Sequence, residues 1–130
     1  MTTSATSQTI ATVEQFKRAL LAVRDKNMAS THLDMLRAQC HAPNSTITST
    51  RLAEAAGYQN YNAANLQYGT LANKVAESLG FLPAARVDGS LMWWTTLSYS
   101  EEGAGEPETG QFQFVMRPEL AQALREMRWA

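Results

Sequence analysis

The sequence predicts a domain of the α+β class, mainly helical with one β-hairpin. Three observations lead to this prediction. The segment from Ile47 to Gly80 has the pattern of a short helix, a tight turn at Gly57 and a longer helix. Two later segments alternate apolar and polar residues with a period of two, which is typical of strands. The chain has 130 residues and no linker that would divide it, which suits a single hydrophobic core. A helix-turn-helix followed by a hairpin is the winged helix-turn-helix plan.

Capping residues and apolar residues at helical spacing predict five helices. The predicted helices cover about residues 12–26, 31–41, 48–57, 60–79 and 118–128. Thr12 and Gln15 form the capping box of the first helix, and Thr31 with Asp34 is expected to do the same for the second. Residues 1–11 contain few apolar side chains and are expected to be a disordered tail before a single domain over 12–130.

Two strands are predicted at about residues 92–99 and 111–116, with a connecting loop over 100–110. In this interpretation Trp93 and Trp94 lie on opposite faces of the first strand. Aromatic residues at this spacing are typical of a core, although a stacking platform for single-stranded nucleic acid is the alternative. The core interpretation is preferred for four residues: Trp93, Trp94, Phe112 and Phe114.

The predicted fourth helix is apolar on two sides, which is typical of a helix at the centre of a domain or at an interface. Its second apolar side contains Leu66, Gly69, Ala72 and Ala76. A glycine within a helix costs about 1 kcal/mol relative to alanine. We therefore expect Gly69 to allow the close approach of another backbone.

Composition limits the classes of function and the location. The formal net charge is −1, whereas a protein that binds nucleic acid without specificity is usually basic. Cys40 is the only cysteine, so no intramolecular disulfide forms, as is usual in a reducing cytoplasm. The first residues lack the pattern of a signal peptide, and the apolar runs are too short to span a bilayer. We expect a cytoplasmic protein without a membrane partner.

No catalytic or metal site is expected. His32, Cys40 and His41 are too few for a structural zinc site, which takes four ligands. Cys40 lies on the apolar stripe of its helix, where a buried and inert thiol is the usual case. The basic residues Arg117, Arg125 and Arg128 are expected to form a solvated face. The sequence therefore predicts a non-enzymatic protein without a cofactor or metal.

The start of the fourth helix is the candidate surface for reading duplex DNA. Asparagine and glutamine can pair with adenine in the major groove, and a helix N-terminus attracts phosphate. The candidate residues, including two basic residues expected to contact phosphates, are Arg51, Gln59, Asn60, Tyr61, Asn62, Asn65 and Lys74. Asparagine and glutamine are also ordinary helix caps, so a domain that binds a protein partner or a second copy of itself is the alternative.

The loop between the predicted strands is acidic, with four glutamates and no basic residue: Glu101, Glu102, Glu106 and Glu108. A wing that contacts phosphates should not be acidic, so this loop is expected to face away from DNA.

Three motifs form a recognisable pattern: T-x-x-x-L-A-x-A-x-G-Y from Thr48 to Tyr58, A-x-N-L-Q-Y-G-x-L from Ala63 to Leu71, and F-V-M-R-P-E-L-A-x-A-L from Phe114 to Leu124, with Trp94 between the last two. With these motifs the chain resembles a bacterial module that often lies beside an HNH-type endonuclease domain in restriction-like proteins. The resemblance covers about 47–129. It implies a DNA-recognition or accessory module in defence against foreign DNA.

The resemblance implies no nuclease in this chain. The nuclease needs a histidine-rich metal site, and His32 and His41 lie outside the matching region. It also implies that the fold or the binding surface uses the segment with Asn65, Gln67, Tyr68 and Gly69.

Overall fold

The computed structural model describes residues 9–100 and 109–130, which form a mixed α+β structure. The elements in chain order are α1 (Val13–Asp25), α2 (Ser30–His41), β1 (Thr46–Thr48), α3 (Ser49–Ala56), α4 (Tyr61–Leu79), β2 (Ser98–Tyr99), β3 (Gln113–Met116) and α5 (Pro118–Glu126). Short 3₁₀ helices cover Pro43–Ser45 and Trp93–Thr96. The five predicted helices are confirmed, each within two residues of its predicted bounds. No helix in the described ranges is long and apolar enough to cross a membrane.

The helix ends follow the predicted capping residues with one exception. The Thr12 hydroxyl accepts the Gln15 N–H at 3.1 Å, and the Gln15 side chain accepts the Thr12 N–H at 2.8 Å. Gly57 ends α3 in the left-handed conformation, with φ of 79°. The cap predicted at Thr31 is wrong, because α2 begins one residue earlier and has Ala29 at its N-cap. The Thr31 hydroxyl instead accepts a hydrogen bond from the Tyr58 hydroxyl at 2.8 Å. This bond joins the start of α2 to the turn after α3.

The sheet has three antiparallel strands in the order β1-β3-β2. Ile47 of β1 is opposite Phe114 of β3, and Ser98 of β2 is opposite Met116. The sequence prediction did not include β1, which precedes α3 directly. The segment before β3 also forms hydrogen bonds with the start of α3. The Ser49 N–H donates to the Phe112 carbonyl at 3.2 Å, and the Thr50 N–H donates to the Gly110 carbonyl at 3.0 Å.

The strand predicted over 92–99 is mostly wrong, because only Ser98–Tyr99 pairs in the sheet. Residues Trp93–Thr96 form a 3₁₀ helix instead. The Thr95 hydroxyl donates to the Met92 carbonyl at 2.7 Å, a local bond that favours a turn over an extended strand. The prediction that Trp93 and Trp94 lie on opposite faces of a strand is therefore wrong, because neither residue is in a strand.

The aromatic core contains three of the four predicted residues, and the fourth packs against its edge. Trp94 is buried, and its ring centroid lies 5.5 Å from that of Phe112 and 5.6 Å from that of Phe114, both in edge-to-face geometry. The core interpretation is confirmed for these three residues. Trp93 is half-buried and packs against this core from the surface.

The core also extends beyond the predicted domain start. Ala11 is buried, and Ile10 packs against the core. The rest of the expected tail, residues 1–8, and the glutamates of the loop over 101–108 lie outside the described residues. Arg117 is 3% exposed, and its Nε donates to the Thr95 carbonyl at 2.9 Å. Its predicted place on a solvated face is therefore wrong.

A buried hydrogen-bonded ring joins α2, α4 and β2. It consists of Gln39, Tyr68 and Ser98, which are all fully buried. The Tyr68 hydroxyl donates to Gln39 Oε1 at 2.6 Å and lies 2.5 Å from Ser98 Oγ, whose proton can then bond the tyrosine oxygen. Gln39 Nε2 donates to Ser98 Oγ at 2.9 Å and to the Phe114 carbonyl at 3.2 Å. Burial raises the pKa of the Tyr68 phenol, so it stays protonated and able to donate.

We expect Tyr68→Phe to lower the free energy of unfolding by about 1–3 kcal/mol, because Gln39 and Ser98 lose a buried partner. Urea denaturation followed by circular dichroism measures this change. Tyr58→Phe is the matched control. Its hydroxyl bond to Thr31 is only partly buried, so its loss should be under about 1 kcal/mol. Equal losses in the two variants would contradict a central role for the buried ring.

Candidate nucleic-acid interface

The first turn of α4 presents polar side chains to solvent. Gln59, Asn60 and Asn62 are exposed. Asn60 is also the N-cap of α4, because its Oδ1 accepts the Ala63 N–H at 3.0 Å. This residue therefore has a structural role, whereas the Asn62 side chain is exposed one residue inside the helix.

Two other predicted residues of α4 are half-buried. The Tyr61 ring lies beside Gly110, where a Cβ on that glycine would be 3.3 Å from Tyr61 Cδ1. Asn65 lies one turn further along the helix, and its Oδ1 is shielded from solvent without a protein partner. These two side chains continue the polar surface from Asn62 toward the body of the domain.

The two basic residues of the predicted set lie on different helices. Arg51 is exposed on α3 and lines a depression that also contains His41 and Glu54. Lys74 is exposed three turns along α4, about 18 Å from Asn62 at the usual helical rise, and lines a depression against α1. Five residues of the set therefore lie together at the start of α4, with Lys74 toward the other end of this helix and Arg51 on the adjoining α3. The five are Gln59, Asn60, Tyr61, Asn62 and Asn65.

A groove runs along α4, between this helix and residues 86–94, with a volume of about 550 Å³. We call it the α4 groove. The described residues that line it are Asn65, Leu66, Gly69, Thr70, Asn73, Arg86, Leu91, Trp93, Trp94 and Phe114. Of these, Asn65 was the predicted DNA-binding residue. The sequence prediction weighed Trp93, Trp94 and Phe114 as a stacking platform but preferred the core for them, and it placed Leu66 and Gly69 on the second apolar side of the helix. Residues 65, 69 and 73 recur every four positions and so share one face of the helix, which was the signal available in the sequence.

Gly69 leaves the α4 groove open. A Cβ added to this glycine would meet no atom within 4 Å outside its own helix backbone. The prediction that Gly69 allows close approach of another backbone is therefore wrong. The missing side chain widens a surface groove.

Two residues that line the α4 groove each have a buried polar atom without a protein partner. Five buried side-chain nitrogen and oxygen atoms among the described residues have none, and Asn65 Oδ1 and Trp94 Nε1 are two of them. One is an acceptor and the other a donor, and both belong to residues that line the groove. Each unsatisfied buried group costs about 1–3 kcal/mol.

The outer wall of the α4 groove is a tight turn. The Arg86 N–H donates to the Ser90 carbonyl at 2.7 Å, and Arg86 Nη1 donates to the Leu91 carbonyl at 2.8 Å. Asp88 Oδ1 accepts the Ser90 hydroxyl at 2.6 Å and its N–H at 3.0 Å. These two bonds hold the pKa of the Asp88 carboxyl below its usual value. The wall is therefore fixed by its own hydrogen bonds.

The exposed side of α4 is unusually poor in charge. Residues 61–73 contain no Lys, Arg, Asp or Glu. Leu66 lies in the middle of this stretch and is 69% exposed. A solvated helix face normally carries charged residues, so this exposed stretch differs in composition from an ordinary solvated face.

The residues considered for catalysis lie apart from the α4 groove. Cys40 is buried, and burial raises the pKa of its thiol, which is the state of an unreactive cysteine. His32 Nε2 lies 2.9 Å from Gln67 Oε1 between α2 and α4. Within residues 9–100 and 109–130, no group of three or more His, Cys, Asp or Glu side chains is placed to hold a metal ion.

Comparison of the chain with protein-family models, with curated proteins and with solved structures gives no match. The functional argument therefore depends on the residues of α4 and its groove.

We expect Gly69→Ala to raise the free energy of unfolding by about 0.5–1 kcal/mol, because alanine favours the helix and its Cβ meets no neighbouring atom. Thermal and urea denaturation measure the change. Gly80→Ala is the matched control at the end of the same helix. Its φ of 75° is strained for alanine, so this variant should be less stable by about 1 kcal/mol. A destabilising Gly69→Ala change would show that a neighbour occupies the space we describe as open.

Proposed function

We propose that the chain is a non-enzymatic module of the winged helix-turn-helix type that binds duplex DNA through the start of α4. The observation that supports this most directly is the exposed Gln59, Asn60 and Asn62 at the N-terminus of the second helix of the pair. In helix-turn-helix proteins this part of the second helix contacts base edges in the major groove.

The order of the elements supports the winged plan. Helices α3 and α4 are joined by the turn at Gly57, and β2 and β3 follow them. Strand β1 precedes α3 and pairs with β3, so the sheet adjoins the helix pair. This arrangement leaves the start of α4 exposed, while Ala64, Tyr68 and Leu71 anchor the helix in the core.

Charge limits the expected mode of binding. Because residues 61–73 are uncharged and Lys74 lies beyond them, the surface of α4 offers few phosphate contacts. Asparagine contacts to base edges and the N–H groups at the start of α4 would provide most of the recognition. A protein that neutralises only about one to three phosphates has a shallow salt dependence, with a slope of log K against log salt near −1 to −3.

A role in restriction or in defence against foreign DNA is part of the same proposal. This role is supported by the resemblance of 47–129 to the module beside HNH-type endonuclease domains. In such a setting the chain would recognise DNA and a separate protein or domain would cut it. We also propose a cytoplasmic location, which is supported by the single cysteine, Cys40.

We expect Asn62→Ala to weaken binding to a labelled mixed-sequence duplex about tenfold, because one bidentate base contact is worth about 1–3 kcal/mol. Fluorescence anisotropy at low and at physiological salt gives the affinity and the salt slope. Asn60→Ser is the better second variant, since Asn60→Ala would also remove the cap of α4.

Ser78→Ala is the matched control for this experiment, because Ser78 is exposed near the other end of α4. Its affinity should equal that of the original chain. A folded Asn62→Ala variant that binds with unchanged affinity would refute the proposed reading face. No binding at low salt would refute duplex recognition.

The second candidate function is a protein-interaction domain. The observation that favours it is the uncharged exposed stretch of α4 with Leu66 at its centre. If the domain self-associates through this face, sedimentation velocity should show a dimer that Leu66→Ser dissociates. The exposed Leu82 provides the control, since Leu82→Ser lies outside the α4 groove and should leave the dimer intact. A monomer at high concentration would exclude self-association through Leu66.

A further inference from the structure

Strand β1 is an edge of the three-stranded sheet, because the order of the strands is β1-β3-β2. The strand borders a depression with a volume of about 740 Å³, whose other walls come from α2 and α3. We call it the β1 depression. All three residues of β1 line it. None of the described residues that line it lies beyond Ala55 in the chain, so it includes no part of the proposed reading face.

The hydrogen-bond pattern of the sheet determines where the backbone groups of β1 point. The Ser49 N–H donates to the Phe112 carbonyl at 3.2 Å, in register with the pairs between β1 and β3. Bonded and non-bonded pairs alternate in an antiparallel ladder. Ile47 is therefore also a bonded residue, and the backbone groups of Thr46 and Thr48 point away from β3, toward the outer edge of the sheet.

Two of these four outward groups are already bonded. The Thr46 N–H donates to the Pro43 carbonyl. Thr48 is the N-cap of α3, and the carbonyl of an N-cap residue accepts the first hydrogen bond of its helix. The Thr46 carbonyl and the Thr48 N–H therefore remain at the outer edge of β1, one on each side of Ile47. A strand edge with such groups is a template for pairing with another strand.

We propose that the β1 depression binds an extended peptide segment of a partner protein, which adds to the sheet as a strand parallel to β1. In a parallel ladder, one residue bonds through its N–H and its carbonyl to the two residues that flank its neighbour. A single ligand residue opposite Ile47 would therefore bond both the Thr46 carbonyl and the Thr48 N–H. This is the strand-addition mode of peptide recognition. It goes beyond the proposed DNA-binding function and does not depend on it.

A second copy of the chain fits this edge less well than a parallel peptide does. Two copies paired edge to edge around a two-fold axis would run β1 antiparallel to itself. An antiparallel neighbour faces all four outward groups of Thr46 and Thr48, and two of these are already bonded. The neighbour would leave two of its own backbone groups without partners, which is unfavourable.

The walls of the β1 depression indicate the side chains of the segment. Ala38 and Ala42 of α2 and Ala55 of α3 line it, and their small side chains leave room for an apolar residue. Arg51 is exposed and forms no ion pair among the described residues, even with Glu54 one turn away. An acidic residue of the segment can therefore pair with Arg51. Because side chains alternate along a strand, we expect a segment that alternates apolar and acidic residues.

The test uses a fluorescein-labelled heptapeptide, Asp-Val-Asp-Val-Asp-Val-Asp, titrated with the protein and followed by anisotropy. In the proposed arrangement the valine N–H groups point at β1 and the aspartate N–H groups point away from it. N-methylation of the three valines removes the donor to the Thr46 carbonyl, so it should weaken binding about tenfold. N-methylation of the last three aspartates is the matched control and should leave the affinity unchanged.

Two variants of the protein test the walls of the depression. Arg51→Glu should weaken binding of the heptapeptide about tenfold, because attraction becomes repulsion. Arg18→Glu is its control, since Arg18 is exposed on α1 outside the depression. Ala55→Leu fills the depression from an exposed helical position and should also weaken binding, whereas Ser78→Leu adds the same side chain on α4 and should not. Circular dichroism verifies that each variant is helical.

A spin label at the N-terminus of the heptapeptide tests the direction of the added strand. A parallel strand places the label near Asn44, before β1, and broadens the amide signals there. Broadening near Thr50 instead overturns the parallel arrangement.

The outcomes are separate from those of the DNA experiments. Weaker binding with the methylated valines, with Arg51→Glu and with Ala55→Leu, but with none of their controls, supports the proposal. No binding at millimolar peptide overturns it, as does an equal loss from the two methylation patterns or from Arg51→Glu and Arg18→Glu. Any of these negative results leaves duplex recognition by α4 standing.

Discussion

The hydrogen-bonded ring of Gln39, Tyr68 and Ser98 is the constraint on which the rest of the fold depends. Its three side chains come from α2, α4 and β2, and none is exposed to solvent. Breaking one bond would leave a buried polar group without a partner, so the ring has one favourable arrangement. Tyr68 also lies 4.8 Å from Phe114 between ring centroids, which joins the polar ring to the aromatic core. The rotation of α4 about its own axis is therefore fixed.

That rotation determines which residues of α4 remain at the surface. With Tyr68 pointing into the core, Asn62, Leu66 and Thr70 point outward and Gly69 opens onto the α4 groove. The same helix thus carries a structural face and an uncharged exposed face. Recognition by such a face depends on hydrogen bonds, stacking and shape more than on charge. This is consistent with a formal net charge of −1, and it distinguishes the proposed site from a basic nucleic-acid surface.

The helices were predictable because their end signals are local. Thr12, Thr48, Asn60 and the two glycines Gly57 and Gly80 act within one turn of the residues they cap. Strand β1 was missed because its three residues are stabilised by pairing with β3, which lies far away in the chain. The Trp93–Thr96 turn was misread because the Thr95 bond to Met92 competes with the alternating pattern. The start of α4 was predictable as a polar helix end. The α4 groove was not, since its outer wall comes from residues 86–94 and only the fold brings them beside Gly69.

The most direct test of the central claim is an amide chemical-shift titration of the isotopically labelled chain with duplex DNA. If the face of α4 opposite Tyr68 is the binding surface, the perturbed amides should cluster at 59–62 and along the α4 groove, at 65–73 and 86–94. The amides of α1 and α5 should be unaffected. Perturbations concentrated around Arg51 or on α1 and α5, with the start of α4 unchanged, would contradict the account.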